Sequence, residues 1–122
     1  FYSHVIAGHV EAAPIDAELT MGEGWADVFG ARAALGAYRA AGRTEPPLLD
    51  GMSGDAAFFV VLAQNWCGEP NRYVQQYIAA TDVHTPPRAR INAALSALPE
   101  FAEAFDCPVG APMRAAGSCD LF

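Results

Sequence analysis

Lysine is missing from this chain altogether: all seven positive charges are arginine, set against fourteen Asp and Glu, for a formal net charge of -7 and a pI near 4.7. So acidic a chain has too little positive charge to displace counterions from DNA or RNA on any scale, which excludes the phosphate backbone as a main partner. The missing lysine itself reads as a coding bias and not as site chemistry. Long hydrophobic runs are lacking too: the longest, Ala56–Ala63, falls far short of the roughly 20 residues a membrane helix needs. No signal peptide opens the chain, and it begins with Phe1 and not Met. That start leads to the expectation of a processed product or a piece of something longer. Cysteine is scarce and odd in number, with Cys67, Cys107 and Cys119, so internal pairing cannot use all three. Their spacing matches no zinc-finger pattern. There is no internal repeat, no low-complexity segment and no Ser-His-Asp order. Gly22-Glu-Gly24 is too short to be a phosphate-cradling loop or a nucleotide fingerprint.

What is present is enough for one packed unit. In 122 residues, 52% are hydrophobic, which supports a single domain over 1–122 with a core of its own. The periodicity is helical, broken by Pro and Gly, and the fold class it predicts is mainly α. Gly8 and Pro14 mark a loop after an ambiguous opening. Thr20-Met-Gly-Glu23 has capping-box spacing, which predicts a helix from about Thr20 to Ala41 with Gly42 as its stop. The stretch 42–54 holds two prolines and three glycines and must be a connection. Asp55–Trp66 is apolar nearly all round, which predicts a helix buried on several sides. A third helix is expected near Asn71–Ala80. Pro86 and Pro87 then forbid a continuous helix, and two short ones follow at about Arg90–Ala97 and Pro99–Phe105, with Pro99 at a first helical position. From Pro108 onward the chain reads as loop.

Two groups of residues carry possible chemistry. Glu23 and Asp27 lie four apart on the first helix, about 6 Å from one another on the same face, where like charges repel by a few tenths of a kcal/mol. A shared cation or a bound histidine would offset that repulsion; one acid could ligate a metal while the other orients a ligating imidazole. Equally, Glu23 could complete the capping box and Asp27 complement the helix dipole. Asp82, His84 and Arg90 flank the two prolines. An Asp-held imidazole beside an arginine suits oxyanion stabilisation and carbonyl binding, although surface loops carry the same residues for solubility. His4 and His9 are five apart, off any common helix face, and read as structural or surface residues.

Four blocks, in order, resemble the C-terminal portion of the neprilysin family of zinc metallopeptidases, which includes the endothelin-converting enzymes. "LTMGEGWADVFGARAALGAY" resembles that family's Leu-Thr-x-Gly-Glu-Asn-x-Ala-Asp segment, and "FFVVLAQNWC" its apolar helix ending in Trp-Cys. "TDVHTPPRARIN" resembles its Thr-Asp-x-His-Ser-Pro loop, and "LPEFAEAFDCPVGAPM" with "CDLF" its ending. Gly24, Phe29 and Phe122 stand where the family carries Asn, Gly and Trp.

The resemblance implies the C-terminal helical portion of a thermolysin-like zinc metallopeptidase catalytic domain. Glu23 falls on the third zinc ligand and Asp27 on the acid that orients a zinc-bound histidine. His84 falls on the oxyanion-stabilising residue, Asp82 on its orienting partner, and Arg90 on the residue that holds a substrate backbone carbonyl. The cysteines match positions that many members pair with upstream segments, which implies an extracytoplasmic location. The His-Glu-x-x-His string, which supplies two zinc ligands and the general base, is absent from these residues. The expectation is therefore a peptidase portion that binds one catalytic zinc and cleaves oligopeptides only with a companion polypeptide or upstream segment carrying that string. The other possibility is a non-catalytic helical interaction module derived from such a peptidase, in which both acids are relics.

Overall fold

The computed structural model describes residues 15–42, 51–68 and 71–116. Among these residues there are helices and turns but no strand: α1 Ala17–Ala40, α2 Gly54–Gln64, α3 Arg72–Thr81, α4 Pro87–Ser96 and α5 Pro99–Ala104. The mainly α fold class is as the periodicity predicts. His4, His9, Cys119 and the chain end at Phe122 lie outside the described residues, as does most of the connection after Gly42.

The first helix begins earlier than its capping-box spacing predicts. Asp16 is the N-cap, its Oδ1 accepting from the backbone N–H groups of Glu18 at 3.0 Å and Leu19 at 3.1 Å. A carboxylate is at least as good a cap as a threonine hydroxyl, and this one satisfies two N–H groups of the first turn that have no helical partner. Thr20 is thereby moved into the helix interior, fully buried, where its Oγ1 donates to the Asp16 carbonyl at 2.9 Å. The Thr20–Glu23 capping box does not form, and Glu23 sits on the second turn. Gly42, with φ +66, takes the left-handed conformation that a helix stop calls for.

The other ends follow the same logic. Ser53 and Asn71 cap α2 and α3 through their side-chain oxygens, which puts both starts within a residue of expectation. α4 starts at Pro87, three residues before the predicted Arg90. Pro86 is held extended at ψ 149 by the proline that follows it, and Pro87 occupies the first helical position, where no N–H is needed. α2 ends at Gln64, with Asn65 and Trp66 in the closing turn.

The core lies between α1, α2 and α4. Val28, Ala31 and Leu35 form one face of α1 at spacings of three and four, and meet Phe59 of α2, Ala94 and Leu95 at the end of α4, and Leu98 at the start of α5. Phe59 is 1% exposed and makes edge-on contacts with Phe58 and Phe101 at centroid separations of 5.4 and 5.3 Å. The expectation that α2 is buried on several sides holds around most of the helix and fails along one strip. Gly54, Ala56, Ala57 and Phe59 are buried, whereas Val61 is 54% exposed. Its apolar sequence exceeds what this chain covers. Arg32 pairs with Glu100, and Arg39 with Asp55, bracing α1 against α5 and α2. The residues after α5 turn back: the Ala115 N–H donates to the carbonyl of buried Ser96 at 3.0 Å. α3 packs only sparsely on the other helices, and of its side chains only Ala79 is buried.

Candidate active site

The close packing of α1 on α4 brings together residues more than sixty positions apart. Arg90, in the first turns of α4, meets Asp27 on the third turn of α1: Nε donates to Oδ2 at 2.6 Å and Nη2 to Oδ1 at 2.8 Å. This is the parallel two-bond geometry that makes arginine–carboxylate pairs specific. The two side chains are 18% and 21% exposed. The Asp27 bonds raise the pKa of the Arg90 guanidinium above its ordinary value, against the opposing effect of burial. The Arg90 Cζ lies over the indole of Trp66, 4.3 Å from the ring centroid, within the range of a cation–π contact.

Glu23, one turn before Asp27, is half exposed and faces the same cation, its Oε2 3.8 Å from Arg90 Nη2. The repulsion between the two acids is thus offset inside the chain by Arg90, a partner that spacing along one helix could not reveal. Glu23 Oε2 also lies 3.3 Å from His84 Nε2. On its other side, His84 Nδ1 is 2.8 Å from Asp82 Oδ1, and the same oxygen accepts the His84 backbone N–H at 2.9 Å. That backbone bond first, and then the ring bond, hold the Asp82 carboxyl below the usual carboxylate range.

An ionised Asp82 can only accept, so the Nδ1 proton belongs to the ring. Nε2 then donates to Glu23 only in the imidazolium form. The five residues singled out from sequence, Glu23, Asp27, Asp82, His84 and Arg90, therefore stand in one continuous run of contacts. Trp66 is the addition that no spacing argument found; its one signal is its place at the end of an apolar helix.

The matching of sequence to families decides where this arrangement belongs. A model of Peptidase family M13 matches residues 2–121. The chain belongs to that family. It corresponds to the C-terminal part of Peptidase family M13, as the four blocks imply. It is similar to neprilysin-1 of Caenorhabditis elegans, 37% identical over 86% of this chain and 15% of that protein. Neprilysin-21 of the same organism is 35% identical over 98% of the chain and 16% of its own length. Endothelin-converting enzyme 1 of Cavia porcellus is 34% identical over 93% of the chain and 16% of its own length. The chain thus spans about one-sixth of the length of the curated relatives it matches.

Members of Peptidase family M13 are zinc-dependent in general, so the donors present can be tested against that metal. Both Asp27 oxygens accept short bonds from Arg90, whereas Glu23 makes only the longer contacts with His84 and Arg90, at 3.3 and 3.8 Å. Among the described residues no group of three His, Cys, Asp or Glu side chains could hold a metal ion, whereas a catalytic zinc needs three protein ligands. These residues alone do not complete a zinc site. Cys67 and Cys107 are free thiols. No described helix is long and apolar enough to cross a membrane.

Proposed function

We propose that this chain supplies the C-terminal part of the active site of a neprilysin-like zinc metallopeptidase acting on oligopeptides outside the cytoplasm. A companion segment or polypeptide carrying His-Glu-x-x-His supplies the rest. The observation that carries this reading is the convergence of Glu23, Asp27, Asp82, His84 and Arg90 into one run of contacts in a member of a peptidase family.

In this reading Glu23 is the third protein ligand, beside two histidines of the companion, and zinc when bound supplies the Lewis acidity that polarises a peptide carbonyl. Each Asp27 oxygen retains a second lone pair beyond its bond to Arg90, so Asp27 can still accept from a ligating imidazole and orient it. Asp82 fixes the His84 proton on Nδ1, and the imidazolium then offers Nε2–H to an oxygen that gains negative charge. The 3.3 Å contact between His84 and Glu23 supports this, because ring and carboxylate face one common space. Arg90 spends two of its five N–H donors on Asp27. The remainder bind a backbone carbonyl of the peptide.

The test is to combine the chain with a companion carrying His-Glu-x-x-His, purify the assembly and measure both zinc content and peptide hydrolysis. Glu23→Ala should remove stoichiometric zinc and abolish hydrolysis. Zinc content unchanged by that substitution overturns the assignment. A tightly held companion with no zinc in either form supports the interaction module instead.

A further inference from the structure

We propose that Trp66 is a positioning residue for Arg90, an inference that rests on the carbonyl-binding role given to Arg90 above. Asp27 grips the guanidinium along one edge, through Nε and Nη2. An edge grip fixes the group within its plane but leaves it free to tilt about the line joining the two bonds. The indole of Trp66, over whose ring Cζ lies at 4.3 Å, occupies the space on one side of the guanidinium and limits that tilt. Edge grip and indole together restrict the orientation of the unspent donors on Nη1 and Nη2.

The backbone that carries the indole is anchored: it belongs to the turn that closes α2, where the Trp66 backbone N–H donates to the Ala63 carbonyl at 3.0 Å. The Asn65 side chain binds the carbonyls of Val61 and Leu62 at 3.2 and 3.3 Å. Arg90 on α4 is thus set by two other segments, α1 through Asp27 and the α2 turn through Trp66. Removing the indole leaves the charge and both Asp27 bonds in place. What is lost is orientation, and a carbonyl contact made equally in ground and transition states registers in KM and not in kcat.

The experiment uses the assembled peptidase and a peptide substrate. Trp66→Phe, which keeps an aromatic face, should stay within about twofold of the parent, whereas Trp66→Leu should raise KM roughly 3- to 10-fold with kcat nearly unchanged. In an Arg90→Ala background Trp66→Leu should add nothing, since the pair acts as a unit. Equal effects of Phe and Leu, or a Leu effect that persists at full size without Arg90, overturn the inference. Arg90→Ala that leaves KM unchanged overturns instead the carbonyl-binding role, independently of what Trp66 does. If Trp66→Leu does not fold, proton NMR of the unsubstituted assembly decides. The Arg90 Hδ signals should be shifted upfield by the indole ring current, and ordinary positions for them overturn the stacking.

Discussion

Replacing Asp27 by alanine removes both hydrogen bonds to Arg90 and leaves a guanidinium with four-fifths of its side chain out of water. Breaking a fully buried ion pair from one side costs about 3–5 kcal/mol, and an exposed pair is worth about 0–1 kcal/mol. The exposures of 18% and 21% put this pair nearer the buried limit. Two contacts soften the loss: the Trp66 indole, worth about 0.5–1 kcal/mol at a partly exposed site, and Glu23, 3.8 Å away, which can swing toward the freed cation. The net expectation is about 2–3 kcal/mol of destabilisation, a factor of roughly 30–150 in the folding equilibrium. Urea unfolding of the parent, Asp27→Ala, Arg90→Met and the double variant gives the coupling directly, and Asp27→Ala/Arg90→Met should recover part of the loss, because it leaves neither charge unpaired. The effect should change little between low and high salt, since the pair is largely shielded. A coupling below about 0.5 kcal/mol, or one that vanishes in salt, refutes the argument that burial makes this pair strong.

Phe59→Ala should destabilise by about 3–5 kcal/mol, because Phe59 is 1% exposed and lies edge-on to Phe58 and Phe101; a loss under about 1 kcal/mol in urea unfolding would show that the cluster is not the core. The Asp82 carboxyl is held below the usual carboxylate range, first by the His84 backbone N–H and then by its ring. A depressed folded value contributes stability above the unfolded carboxylate pKa of about 4, and that contribution is lost as pH falls through the folded value. His84→Ala keeps the backbone bond, so a carbon-13 NMR titration should find the Asp82 pKa raised only part of the way. Complete return to the ordinary value, or none, contradicts the order of causes.

The helices were legible in the sequence because each carries its own punctuation. Ser53, Asn71, Pro99 and Gly42 act locally, and the structure puts them at or beside helix ends. The misplaced ends came from competition between nearby signals. Asp16 precedes Thr20 and caps first, and Pro87 starts α4 by the same rule that was applied to Pro99. From spacing the candidate site was legible as two groups, Glu23 with Asp27, and Asp82 and His84 with Arg90, because each lies within one turn or around one loop. Only the family resemblance joined the two; spacing did not. The Arg90–Asp27 bonds span 63 positions, and Trp66 reaches Arg90 from a third segment; such contacts depend on how α1, α2 and α4 pack and leave no periodic trace. The exposure of Val61 on the otherwise well-covered α2 was not legible either, since a sequence reports which residues are apolar and not what covers them.

The sparse packing of α3 has a consequence for how this family can vary. His84 follows α3 in the chain, yet the backbone next to it is secured from the other direction, by buried Thr85 and Pro86 and the rigid start of α4. The imidazole is therefore set from both sides, downstream by the start of α4 and upstream by Asp82, which caps α3 and holds the ring and backbone of His84. Exchange of the exposed α3 side chains should leave the ring in place as long as Asp82 is kept, whereas an added residue between His84 and Arg90 should carry it out of reach of Glu23.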